Sequence, residues 1–309
     1  MRTTSTVRIQ IGSKPSGCAV YLRTLFRRNE DNQVKKYAVI TMDVEDWYHT
    51  YFPEMDVDRS QSLLDGLDVA LDIMDEKSIK GSFFVVGEIA DMLADKLRKM
   101  DKNSHDIACH NWVHLRPVTM GIDEYKEQLI RAKEKLEDIL GHEVAGYRAP
   151  SFGIDDEHYE VVKQLFQYDS SKLKPQKSSK YGELHLDGFQ EVYPCVYKKD
   201  LFTEFEVSTQ RIGDMNMLLG GGYIRMLPWP FMKWMTAKYL KTGQPYVMYI
   251  HPIDLSPKPM PRVPGVSFDR YLRTHIGRGD MVRRFKAVIS MLEKEGYEFV
   301  TFEQLRNAL

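Results

Sequence analysis

Cysteine is scarce in this chain: three among 309 residues, Cys18, Cys109 and Cys195. They are too few and too scattered for a disulfide framework or a four-thiolate zinc site, and each reads as a small buried hydrophobe. Long apolar runs are missing as well. None approaches the roughly 18 uninterrupted residues of a spanning helix, and the N-terminus has no apolar core followed by a small-residue cleavage site. Net charge is close to nil, −1 at pH 7, so charge alone suggests neither nucleic acid nor an anionic membrane as a partner. No internal repeat or low-complexity tract interrupts the chain. The expectation from these absences is a globular protein of a reducing compartment, the cytoplasm.

What is present is an ordinary apolar content of 43%, enough for a packed α/β core. Residues 1–36 stand apart, with eight basic side chains against Glu30 and Asp31. That is about +6 there and about −7 over the remainder, and it predicts a basic extension over 1–36 ahead of a single catalytic domain over 37–309. From residue 37 onward, short apolar runs alternate with amphipathic helical patterns. "YAVITMDV" (37–44), "GSFFVVG" (81–87), "HDIACH" (105–110), "EVAGYRAP" (143–150) and "PYVMYIHP" (245–252) read as strands. Between them, Leu63, Leu67, Ala70, Leu71 and Met74 share one helical face, and Tyr125, Leu129, Ala132, Leu136 and Leu140 share another that stops at Gly141. Strands apolar on both faces, joined by crossover helices, predict a parallel sheet, open or closed as a barrel. Both architectures place chemistry at the carboxyl ends of the strands.

Four of the five strands end in reactive side chains: Asp43 with Glu45 and Asp46, then His110, Arg148 and His251. In "CHNWVHLRP", His110 and His114 are four apart, so on a helical turn they would share a face and could hold one metal ion. Two histidines and a carboxylate suit a divalent ion such as Zn²⁺, and an acid following the first strand can complete the set.

The motifs "TMDVEDWY", "ACHNWVHLRP", "GYRAPSF", "YDSS", "LGGGYIRMLP" and "YIHP", in this order, resemble those of the polysaccharide deacetylase family. This is the group of carbohydrate esterases that contains chitin, peptidoglycan and nodulation chitooligosaccharide deacetylases. The resemblance spans about residues 37–305 and implies an irregular (β/α) barrel and a metal-dependent hydrolase that removes an N-acetyl group from an amino sugar. It implies Asp43 as general base, His110 and His114 as metal ligands, and Arg148 as the bidentate clamp on the base. His251 becomes the acid that protonates the leaving amine, and Asp169 the acid that orients it.

The chain also departs from the family pattern. Val44 stands where the family has a second aspartate, so the third metal ligand is Glu45 or Asp46. Strand alternation favours Glu45, whereas a turn after the strand favours Asp46, the preferred reading because the family ligand is a short carboxylate. Ser151 replaces the family's aromatic beside a backbone N–H expected to hold the oxyanion. Trp47 and Tyr223 are candidates for stacking on sugar rings, and "GGGY" reads as a close backbone approach near the cleft. Three alternatives stay open: an O-acetyl sugar esterase, a small-molecule amide hydrolase on the same fold, and a non-catalytic carbohydrate-binding protein.

Overall fold

The computed structural model describes residues 35–174 and 181–309, so the basic extension, apart from Lys35 and Lys36, lies outside the described residues. Twelve strands are present among the described residues: β1 (Lys36–Val44), β2 (Ser82–Val85), β3 (Asp106–Cys109), β4 (Gly146–Tyr147), β5 (Tyr168–Asp169), β6 (Gln190–Tyr193), β7 (Val196–Lys199), β8 (Phe202–Phe205), β9 (Thr209–Ile212), β10 (Met215–Leu218), β11 (Tyr246–Ile250) and β12 (Tyr297–Phe299). Ten of them form one sheet in the order β11-β1-β2-β3-β4-β5-β8-β7-β6, with β12 also paired to β1; β9 and β10 make a separate hairpin. From β11 to β8 neighbouring strands run parallel; β7 runs against β8, and β6, antiparallel to β7, runs again in the direction of the parallel set. The expected irregular (β/α) barrel is therefore present as a sheet whose end strands, β11 and β6, do not pair with each other among the described residues.

The sequence explains the centre of this sheet. In β1 every residue after Lys36 is buried, because helices or strands cover both faces of a parallel strand. Its register pairs Asp43 with Phe84 of β2 and Met42 with Ile250 of β11, which brings three strand ends level.

The helices are α1 (Trp47–Tyr51), α2 (Gly66–Glu76), α3 (Ala94–Lys102), α4 (Ile122–Leu140), α5 (Asp156–Leu165), α6 (Gly221–Met226), α7 (Trp229–Leu240), α8 (Pro252–Leu255), α9 (Phe268–His275), α10 (Arg278–Lys294) and α11 (Phe302–Ala308). In α4 the predicted stripe is buried at Tyr125, Leu129, Ala132 and Leu136, and Gly141 ends the helix at φ 78°. Only glycine takes that left-handed cap without strain. Each fully buried side chain of this kind contributes roughly 1.5–3 kcal/mol. Among the described residues no helix is long and apolar enough to cross a membrane.

Candidate active site

The carboxyl ends of β1, β3, β4 and β11 meet at one cleft of about 800 Å³, lined among others by Asp43, Glu45, His114, Ser151, Tyr223 and His251. Asp43 closes β1. Its Oδ1 accepts a hydrogen bond of 2.7 Å from Arg148 Nη1, and its Oδ2 lies 3.9 Å from His251 Nε2. Arg148 is fully buried. Nη1 also donates to Thr41 Oγ1, Nε to the Ser170 carbonyl and Nη2 to Ser170 Oγ, while the guanidinium lies 4.1 Å from the centre of the Phe84 ring. A single nitrogen therefore reaches Asp43. The expected two-pronged clamp is absent because the other donors tie β4 to β1 and to the Ser170 loop.

The structure corrects the choice of third ligand. Asp46 is the N-cap of α1: its Oδ1 accepts from the N–H groups of Trp47 and Leu63, and its own N–H donates to His49 Nδ1. This consumes the carboxylate for helix capping and turns it away from the histidines. Glu45, His110 and His114, all buried, instead place one donor atom each within 4.8 Å of one another. Glu45 Oε2 lies 2.5 Å from His114 Nε2 and 4.0 Å from His110 Nε2. The two histidines do not sit on a helical turn as the spacing suggested. Residues 110–114 form an irregular loop in which Asn111 takes a positive φ of 66°, and that turn, rather than helix periodicity, points both rings inward.

The trio fits a divalent cation. His110 Nδ1 donates to the Arg148 carbonyl at 2.7 Å, which fixes the tautomer and leaves Nε2 with a lone pair. That Nε2 is buried without any hydrogen bond, and Glu45 Oε2 is buried facing both imidazoles, a costly arrangement for polar atoms unless a cation draws on them. Burial drives the His110 pKa down to about 4, keeping the ring neutral as a ligand requires. Burial alone would raise that of Glu45, but His114, His251 and His110 hold it well below the ordinary carboxylate range. Thr50 Oγ1 donates to Glu45 Oε1 at 2.8 Å and steadies it.

His251 follows β11 and starts α8. Its Nδ1 donates to Asp254 Oδ2 at 3.0 Å, and its backbone N–H donates to the same oxygen. The Nε2 proton then faces Asp43 and Glu45. Burial opposes the charged ring, but Asp254, with Glu45 and Asp43 beyond it, pushes the His251 pKa up to about 9. Asp254 Oδ1 in turn accepts from Nε of the buried Arg225 at 2.8 Å.

The partner of His251 is thus Asp254 and not Asp169, which was the expected orienting acid. Asp169 is buried, where it accepts from the N–H and hydroxyl of Ser171 and faces Glu204 across the β5–β8 pairing. Asp254 and Arg225 were missed in the sequence, although Arg225 lies inside a quoted motif and Asp254 two residues beyond another.

Ser151 borders the cleft as expected, in a turn where Ser151 and Phe152 both have positive φ. The Phe152 and Gly153 N–H groups close on the Ala149 and Pro150 carbonyls; the Ser151 N–H has no acceptor among the described residues. Tyr223 also borders the cleft, and Gly220 and Gly221 before it lie against Tyr249, so that a Cβ on Gly221 would fall 2.4 Å from the ring. Trp47 does not reach the cleft. It is buried with Phe52, Leu63 and Ile253, its Nε1 donating to the Gln61 carbonyl, because α1 turns its first residue into the core.

Residues 35–167 match the model of the polysaccharide deacetylase family. Over this region the chain is similar to polysaccharide deacetylases. Residues 171–306 match a second model, a domain of unknown function, DUF3473, so the deacetylase model ends well short of the expected residue 305. Curated relatives include the peptidoglycan-N-acetylglucosamine deacetylase of Bacillus cereus, 28% identical over 26% of this chain and 29% of that protein. Chitin deacetylase 1 of Cryptococcus neoformans var. grubii is 30% identical over 31% of this chain and 20% of that protein. Such matches span well under half of each relative's length.

Among solved structures, a Mycobacterium smegmatis protein assigned to the polysaccharide deacetylases aligns with a TM-score of 0.55 at 18% identity, covering 89% of this chain and 90% of that one. A CE4 family pseudoenzyme from Bacillus anthracis aligns at 0.50 and 13%, covering 88% and 66%. These likenesses establish the fold. A pseudoenzyme shares it, so activity has to be argued from this chain's own residues.

Proposed function

We propose that the protein is a metal-dependent carbohydrate deacetylase that hydrolyses the N-acetyl group of an amino sugar in a polysaccharide or its precursor, with residues 37–309 acting as one catalytic unit. One observation carries this reading. A buried Glu-His-His trio with unsatisfied donor atoms shares a cleft with an arginine-held carboxylate and a histidine whose remaining ring proton faces that carboxylate. Glu45, His110 and His114 would hold the metal, for which Zn²⁺ suits the donor set. Bound there, such an ion would supply Lewis acidity toward the acyl carbonyl and would let water give up a proton near neutral pH.

The protein's own groups do the rest. Arg148 holds Asp43 in place with Oδ2 toward the cleft, where it accepts the proton of the attacking water. The Ser151 N–H is a free donor for the oxyanion of the tetrahedral state. His251, protonated and held by Asp254, delivers its Nε2 proton to the departing nitrogen. An amine leaves far more easily as the neutral species, so this proton transfer drives the collapse to acetate and free amino sugar.

Elemental mass spectrometry on chain purified without chelator or histidine tag tests the proposal before any substrate is chosen. About one zinc-like ion per chain is expected, lost in Glu45→Ala, His110→Ala and His114→Ala and retained in Asp46→Ala. Absence of metal from the folded wild type after reconstitution would refute the mechanism.

A further inference from the structure

The wall of the cleft away from the catalytic carboxylates carries arginines. Arg116, Arg270 and Arg273 line it, against the acids Glu54 and Asp269. Arg116 comes from the segment between β3 and α4, and its stem lies across Gly153, next to the Ser151 turn. Arg270 and Arg273 come from α9, three apart and so on one helical face. Arg270 has no carboxylate partner among the described residues; its guanidinium lies 5.6 Å from the centre of the Phe52 ring and 3.3 Å from Met55 Sδ. Arg273 makes one loose contact, 3.7 Å to the exposed Asp269.

The helix that carries them contributes little to the core. Thr274 is its only buried residue, and Phe268 is 74% exposed. Burial therefore does not hold α9 in position. Arg225 does, since its Nη2 donates to the Arg273 carbonyl at 2.6 Å and its Nη1 to the Ile276 carbonyl. The same buried guanidinium holds Asp254, and through it His251. The helix is thus fastened to the acid end of the active site, with two solvent-reaching arginines turned into the cleft.

We propose that this wall is a subsite for an oxyanion on the saccharide, a carboxylate or a phosphate, so that the deacetylase acts on anionic amino-sugar chains or on phosphate-linked precursors in preference to neutral ones. This rests on the deacetylase reading above and names its substrate class. The guanidinium fork matches carboxylate and phosphate geometry, and a semi-exposed site makes the preference sensitive to salt.

Binding to the metal-loaded full chain tests it with three probes: neutral N-acetylchitotetraose, a hyaluronan tetrasaccharide and UDP-N-acetylglucosamine. Isothermal calorimetry at low and high salt would be run on wild type, on Arg270→Gln/Arg273→Gln, and on Arg211→Gln, an exposed arginine that does not line the cleft. We expect at least one anionic probe to bind about tenfold tighter than the neutral one, hyaluronan identifying a carboxylate site and the nucleotide sugar a phosphate site. The preference should shrink at high salt and collapse in the double variant but not in Arg211→Gln. Equal binding of all three, no binding of any, or a preference that survives both the double variant and salt would overturn the proposal. If the double variant unfolds, the salt arm on wild type decides. Acetate release is read in parallel: none from any probe, with the anionic preference intact, would refute the hydrolytic reading and support the subsite.

Discussion

Among the carboxylates that favour the charged form of His251, Asp254 acts most strongly, and replacing it gives a signed test. In the native protein Asp254 pushes the imidazole up to about 9, so the acid form persists through neutral pH and is lost as pH rises past that value. In Asp254→Asn that charge is gone, and burial, which favours the neutral ring, is opposed only by the more distant Glu45 and Asp43. The alkaline limb of kcat/KM should move to lower pH by about one unit or more. A cation held by Glu45 would lower both values and leave the sign of the difference unchanged. An unmoved limb would mean that His251 is not the acid.

Two carboxylates were misread for the same reason. Asp46 lies three before His49, and Asp254 three after His251, and in both places aspartate and histidine bond reciprocally at a helix start. Spacing alone does not separate such a cap from a ligand or a relay. Recognising the cap would have freed Glu45 for the histidines and found Asp254. It also predicts that Asp46→Ala costs about 1 kcal/mol of stability, read by denaturant unfolding, while metal content stays at the wild-type level.

Paired strands carry a second kind of information that single residues do not. The strands read from the sequence correspond to β1, β2, β3, β4 and β11, all runs of buried apolar residues, and their ends name Asp43, His110, Arg148 and His251. The two-residue β5 and the antiparallel pair β6 and β7 have no such run, and β6 is largely exposed, so their place was not legible. That is where Asp169 belongs. It pairs across the sheet with Glu204, and burial raises the pKa of both. Glu204 also accepts from Tyr159 and from the N–H groups of Ser171 and Lys172.

Two facing buried carboxylates retain a proton in the native state that the unfolded chain has released by neutral pH. Native protons then exceed unfolded ones, and stability falls as pH rises above the ordinary carboxylate range, by up to about 1.4 kcal/mol per pH unit for one proton. Glu204→Gln keeps the shape and removes the titration. Relative to this variant, the wild type should lose stability between pH 5 and pH 8 (~3 units), as measured by urea unfolding. Parallel curves would show that the pair is not protonated.

The two family models divide the chain near residue 170, but the sheet does not divide there. β1 takes β11 along one edge and, along the other, β12 and then β2 end to end, Ala38 pairing with Tyr246 on one side and Phe299 on the other, so the strand bearing Asp43 lies between the two matched regions. The acid end of the cleft, His251 with Asp254 and Arg225, comes wholly from the second region, and the candidate metal trio wholly from the first. A fragment of residues 35–167 would retain every candidate ligand and leave one edge of β1 bare. Buried apolar side chains along that strand, among them Val39, Ile40 and Met42, would meet water there. An exposed, apolar central strand is an aggregation edge rather than a stable surface. Expressed alone, 35–167 should show no cooperative thermal transition by circular dichroism and no stoichiometric metal, whereas the full chain shows both. A folded, metal-binding fragment would instead mean that residues 35–167 are a unit on their own, to which residues 171–306 add only His251 with its partners and the Arg270 and Arg273 part of the wall.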